Sequence, residues 1–179
     1  MKVDAPILLL PDAGPLITLA YADALDVLLK SGWQVQIVDM VLHEVTRNQT
    51  PTSQAIGAWV DQRKLQILLT KTYAHFQQAQ AVGATTLKKS NLGELAMQEA
   101  MTNFALTNPP SIGVFLFEDH RIARASFVLP ENCRKVSTRA FLTFLEQKSL
   151  LASAAAVERR AILNGRNFSQ LRFPPDNPP

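Results

Sequence analysis

Ile112-Gly113-Val114-Phe115-Leu116-Phe117 carries no polar side chain in six residues and runs straight into Glu118-Asp119-His120-Arg121. A short run apolar on both alternating faces is the pattern of a central parallel strand covered by helices on either side, and the charges behind it mark its carboxyl end. Ile7-Leu8-Leu9-Leu10, cut off by Pro11, repeats the pattern and delivers Asp12 to another strand end. Val35-Gln36-Ile37-Val38 alternates into a further strand, Leu65 to Leu69 forms one more, and Arg134-Lys135-Val136-Ser137 reads as a short edge strand. Helical spacing fills the gaps. Pro15 suits the first position of a helix whose apolar face, from Leu16 and Leu19 to Val27 and Leu28, extends to Lys30. Val41 to Val45 starts a short helix, and Pro51 to Arg63 repeats Ile56, Trp59 and Val60 on one face. Asn91 is placed as an N-cap, with Glu94 three residues on in the capping-box position. Thr138 to Gln147 and Leu150 to Leu163 supply the last two helices, while the Gln-rich stretch Thr70 to Ser90 reads either as a helix or as a connection. Five strands separated by helices predict an α/β domain with a mainly parallel sheet and helices on both faces.

The chain has 179 residues, 47% of them hydrophobic, which is the size and apolar content of one globular domain. Lys and Arg number 18 against 15 Asp and Glu, a mild basic excess that permits an anionic partner without requiring one. The single cysteine, Cys133, excludes an intramolecular disulfide and a thiolate zinc cluster, and it fits a reducing compartment, so the cytoplasm is expected. Asp4, Pro11 and Asp12 interrupt the first apolar run, so neither a secretory signal nor a membrane segment is expected. Residues 1–148 are read as the α/β unit and 149–179 as a helical extension with a Pro-rich tail.

Asp12 and Asp119 follow strands, and Glu44 and Glu94 lie in the early turns of helices. Ligands of such sheets gather beyond the carboxyl ends of the strands, so all four acids can point at one edge. Converging carboxylates repel one another unless a cation neutralises them. An oxygen-only set, with no cysteine or histidine pair, favours Mg²⁺ or Mn²⁺ over zinc. Such a centre suits phosphodiester hydrolysis. Arg121 and Arg124, one turn apart beyond Asp119, and Lys88-Lys89 before Glu94 are the natural phosphate contacts. Read singly, Asp12 also suits a turn or helix cap, Glu94 a closed capping box, and Asp119 a cap with Glu118 as its solvated neighbour. His43, His75 and His120 lack metal-ligand spacing and read as surface or capping residues; Trp33, Trp59 and Phe104 read as core or interface.

These fragments together resemble the PIN-domain ribonucleases, in particular the branch with a GE motif in the third acidic segment. The carrying stretches are Asp12-Ala13-Gly14-Pro15-Leu16-Ile17, Val41-Leu42-His43-Glu44-Val45, Asn91-Leu92-Gly93-Glu94-Leu95-Ala96 and Leu116-Phe117-Glu118-Asp119-His120-Arg121, within residues 6 to about 148. The resemblance implies a three-layer α/β/α fold with a five-stranded sheet in the order 3-2-1-4-5, and metal-dependent cleavage of RNA. It also implies a frequent homodimer, often the toxin half of a toxin–antitoxin pair with a protein antitoxin as partner. Asp12, Glu44, Glu94 and Asp119 would be its metal-binding acids. Gly14 departs from the pattern, in which a small hydroxyl residue is common, and Asn91 stands where a charged residue is common. The alternative is a catalytically silent PIN-like module that binds RNA or protein. An aspartyl-phosphate phosphotransferase would need a second acid two residues after Asp12, where Gly14 stands.

Overall fold

The computed structural model describes residues 5–83, 91–106, 111–118 and 129–167. Its five strands are β1 (Ile7–Pro11), β2 (Gln34–Val38), β3 (Gln66–Leu68), β4 (Ile112–Phe117) and β5 (Cys133–Ser137). They form one sheet in the order β3-β2-β1-β4-β5, with every pairing parallel. β1 and β4 pair in register from Ile7 opposite Ile112 to Pro11 opposite Leu116, so the residues after both strands emerge side by side. Leu9, Leu10, Phe115 and Leu116 are shut away from solvent, as central strands between two helical layers require.

Seven helices flank the sheet among the described residues: α1 (Ala13–Tyr21), α2 (Asp39–Thr46), α3 (Pro51–Arg63), α4 (Lys71–Ala81), α5 (Leu92–Ala105), α6 (Thr138–Gln147) and α7 (Ala154–Leu163). Local chemistry starts several of them. Thr50, Thr70, Ser137 and Ser153 each accept a hydrogen bond from the backbone N–H three residues on, which satisfies a donor that the first helical turn leaves open. The Thr70 cap decides the ambiguous segment: α4 runs to Ala81, and residues 84–90 lie outside the described ones.

Three expectations shift. The expected helix to Lys30 breaks after Tyr21, where Asp23 turns left-handed (φ 48°) and Ala24 N–H bonds back to Leu19. A single 3-10 turn, Leu25–Leu29, then folds Leu25, Val27 and Leu28 into the core. α2 begins at Asp39 rather than Val41, and α7 at Ala154 rather than Leu150, where Glu146 Oε2 accepts the Ala154 N–H at 2.9 Å.

Asp39 is the buried staple between neighbouring units. Only 5% exposed, it accepts hydrogen bonds from Met40 N–H, Thr70 N–H and Thr70 Oγ1–H, each at 2.7 Å, joining the start of α2 to the start of α4. Asp39→Ala leaves these donors without their acceptor and is expected to cost about 2–4 kcal/mol, read as a lower urea midpoint. Asp39→Asn keeps an acceptor oxygen and should lose less.

Glu99 on α5 closes the other end of that joint. It accepts from Lys71 N–H, Thr72 N–H and Thr72 Oγ1–H at the first turn of α4. Desolvation acts to raise its pKa, but these hydrogen bonds and the Lys71 charge outweigh it, and the carboxyl lies below its ordinary value. A depressed pKa contributes stability that is present above the unfolded value and lost as pH falls through the folded one. The stability difference between the wild type and Glu99→Gln is therefore expected near neutrality and should shrink on acidification below about pH 4. Asp26 is lowered in the same direction by hydrogen bonds from Arg63 and Trp59.

Candidate active site

Asp12 sits where the sheet opens. Its N–H donates to Leu116 O at 2.8 Å, continuing the β1–β4 pairing by one residue, and its C=O accepts from Leu16 N–H at 3.4 Å in the first turn of α1. Backbone bonds from two elements thus place the residue, which is 2% exposed. β1 is flanked by β2 on one side and by β4 on the other, so strand order reverses here, the position at which such sheets bind ligands.

Glu44 reaches the N-terminus of α5, where Glu94 lies in the first turn. Glu44, near the end of α2, accepts a hydrogen bond from Gly93 N–H at 3.0 Å through Oε1. The approach is so close that a Cβ on residue 93 would lie 2.8 Å from Glu44 Cδ and 2.9 Å from Oε1. Gly93 is therefore required for the carboxylate to rest against the first turn of α5. The same contact corrects the capping expectation. Asn91 adopts a left-handed conformation (φ 73°) and makes no side-chain cap, because α2 supplies the acceptor for the open N–H.

Glu118 is not a solvated neighbour. It is 5% exposed, and its Oε1 accepts from Thr18 Oγ1–H at 2.6 Å. Thr18 Oγ1 in turn accepts from Arg166 Nε–H at 3.0 Å, with Arg166 Nη2 4.0 Å from Glu118 Oε1. His43 is likewise drawn inward. Its ring packs against Phe76 and Tyr73 at centroid distances of 5.0 and 5.5 Å, fixing α2 on α4 one residue before Glu44. Trp33 stacks on Phe144, and burial pushes the Cys133 thiol up, which disfavours the reactive thiolate.

Asp119, Arg121, Arg124, Lys88, Lys89 and His120 lie outside the described residues. Among the described residues no three Asp, Glu, His or Cys side chains stand close enough to hold a metal ion. Asp12, Glu44 and Glu94 thus offer the oxygen chemistry that a hard divalent cation takes, but they do not close a cation site by themselves. The interactions that sequence reasoning missed are Glu118, Asp39, Thr18 and Arg166. A visible signal for Glu118 was Gly14, whose bare backbone leaves room for a neighbour's side chain.

A parallel five-stranded sheet in this order, flanked by helices, is the architecture of a PIN-like α/β/α domain. Comparison with solved structures agrees: the structure of the T. brucei RRP44 PIN domain superposes with a TM-score of 0.50 over 82% of this chain and 82% of that chain, at 15% sequence identity. That likeness shows the fold. No protein-family model matches the chain, and no curated protein sequence does.

Proposed function

We propose that this chain is a metal-dependent endoribonuclease that hydrolyses RNA phosphodiester bonds. The observations that carry the reading are the Glu44 carboxylate laid on Gly93 N–H, one residue before Glu94 in the first turn of α5, and the buried Asp12 at the carboxyl end of β1. Asp12, Glu44, Glu94 and Asp119 are assigned to hold Mg²⁺ or Mn²⁺, which when bound activates water and polarises the phosphoryl oxygen. The chain's own contribution is placement. Backbone bonds fix Asp12, Gly93 fixes Glu44, and Arg121, Arg124, Lys88 and Lys89 are assigned to the phosphates. The unit is assigned to residues 1–148, with 149–179 as its extension, and the protein to the cytoplasm as a homodimeric toxin with a protein antitoxin. Among the described residues no helix is long and apolar enough to cross a membrane.

The test is incubation of the purified full chain with RNA in Mg²⁺ or Mn²⁺, against EDTA. Cleavage that stops with EDTA supports the reading, and equal cleavage in EDTA ends it. Gly14 favours a second reading, the catalytically silent PIN-like module, because the departure from a hydroxyl residue falls two positions from Asp12. Calorimetry that finds RNA binding with no Mn²⁺ binding would select that module.

A further inference from the structure

Gly14 and Glu118 occupy one space. A Cβ built on Gly14 would stand 2.5 Å from Glu118 Cγ, 3.5 Å from its Cβ and 3.6 Å from its Cδ, so the middle of a buried side chain fills the place that any side chain at position 14 would need. Gly14 is in the first turn of α1, between Asp12 and the Thr18 whose hydroxyl donates to the Glu118 carboxylate. The hydroxyl is itself held from the other end of the chain. Arg166 Nε–H donates to it just beyond α7, and Asn164 Nδ2–H donates to Tyr21 O at 2.7 Å, at the last residue of α1. α7 packs along α1, with Ala154, Val157 and Ala161 in the common core. A continuous chain of contacts therefore runs from the C-terminal helix through Arg166, Thr18 and Glu118 to the turn that carries Asp12.

We propose that Glu118 is a positioning residue of this edge: its side chain braces the β1–α1 turn from beneath Gly14, and Thr18 and Arg166 hold its carboxylate there. The C-terminal segment, which phosphodiester chemistry does not otherwise use, is then part of the device that sets Asp12. The inference rests on the reading of Asp12 as a site residue, and its test needs no RNA cleavage.

Hydrogen–deuterium exchange on the full chain reads the brace directly. Glu118→Ala is expected to speed exchange about tenfold in the segment 11–18, which contains the Asp12 and Leu16 amides, while β2 and β3 keep their wild-type protection. Glu118→Gln retains the bulk and an acceptor for Thr18, and should restore protection. Arg166→Gln, at a partly exposed position that does not threaten folding, should speed the same segment by a smaller factor. Unchanged exchange at 11–18, uniform loss across the sheet, or Glu118→Gln exchanging as fast as Glu118→Ala overturns the proposal. A thermal cycle gives an independent reading. Gly14→Ala should lower Tm by roughly 5 °C in the wild type and by less than about 2 °C in Glu118→Ala, and additive losses contradict the shared space. A wild type that fails to cleave RNA strikes the nuclease reading alone and leaves these outcomes decisive for Glu118.

Discussion

Asp12→Asn is expected to lower RNA cleavage by about a thousandfold, which corresponds to about 4 kcal/mol of lost transition-state stabilisation. The substitution keeps size and shape and removes one negative charge from the edge where a cation is proposed to sit. The backbone bonds from residue 12 to Leu116 O and from Leu16 N–H survive the change. Tm should stay within about 5 °C of the wild type. A loss of cleavage accompanied by a collapse of the circular dichroism spectrum would instead mark Asp12 as structural. Cleavage retained at the wild-type rate would remove it from the site.

Gly93→Ala has the second-largest expected effect, and its signature is the opposite of a core mutation. The new methyl would press on the Glu44 carboxylate, the far end of a flexible side chain that can swing away at little energetic cost. Replacing Gly by Ala in a helix also contributes up to about 1 kcal/mol of favourable propensity, which offsets the lost hydrogen bond. Stability is thus expected to change by less than about 1 kcal/mol. Activity should nevertheless fall by about a hundredfold, because Glu44 is no longer held at the N-terminus of α5. Steady-state cleavage rates set against urea denaturation of the same preparation check both halves. The contrast with Gly14 is instructive: there the obstructed atom is Glu118 Cγ in a buried side chain, so crowding must appear in stability.

The sheet was legible because its evidence is local. The unbroken apolar run of β4 and the shorter run of β1 announce strands buried on both faces, and the acids behind them announce the carboxyl edge. α6 was legible for the same reason, since Phe141, Leu142 and Leu145 recur at helical spacing and are buried. Misreadings arose where a distant residue decides a local question. The apolar period from Leu16 to Leu28 is compatible with one helix, yet Asp23 turns left-handed so that Leu25 and Leu28 reach the core. Asn91 has the composition of a cap, but Glu44, 47 positions earlier, caps the helix instead. Glu118 looked solvated because charged residues usually are; Thr18 and Gly14, distant in sequence, make the room and the hydrogen bond that keep it buried. Asp12 after β1 and Glu94 in the first turn of α5 stand where their sequence context puts them, whereas Glu44, expected in an early turn, lies near the end of α2, and the residues that hold these acids carry no such periodic mark.

The nuclease reading requires these acids to gather round a divalent cation at the carboxyl edge of the sheet. Diffraction from a crystal of the full chain soaked in Mn²⁺, collected at the manganese absorption edge, decides it. An anomalous peak bounded by carboxylate oxygens of Asp12 and Asp119, with Glu44 and Glu94 on its α5 side, is expected. No peak at that edge, with Asp119 turned to a different face from Asp12, would contradict it.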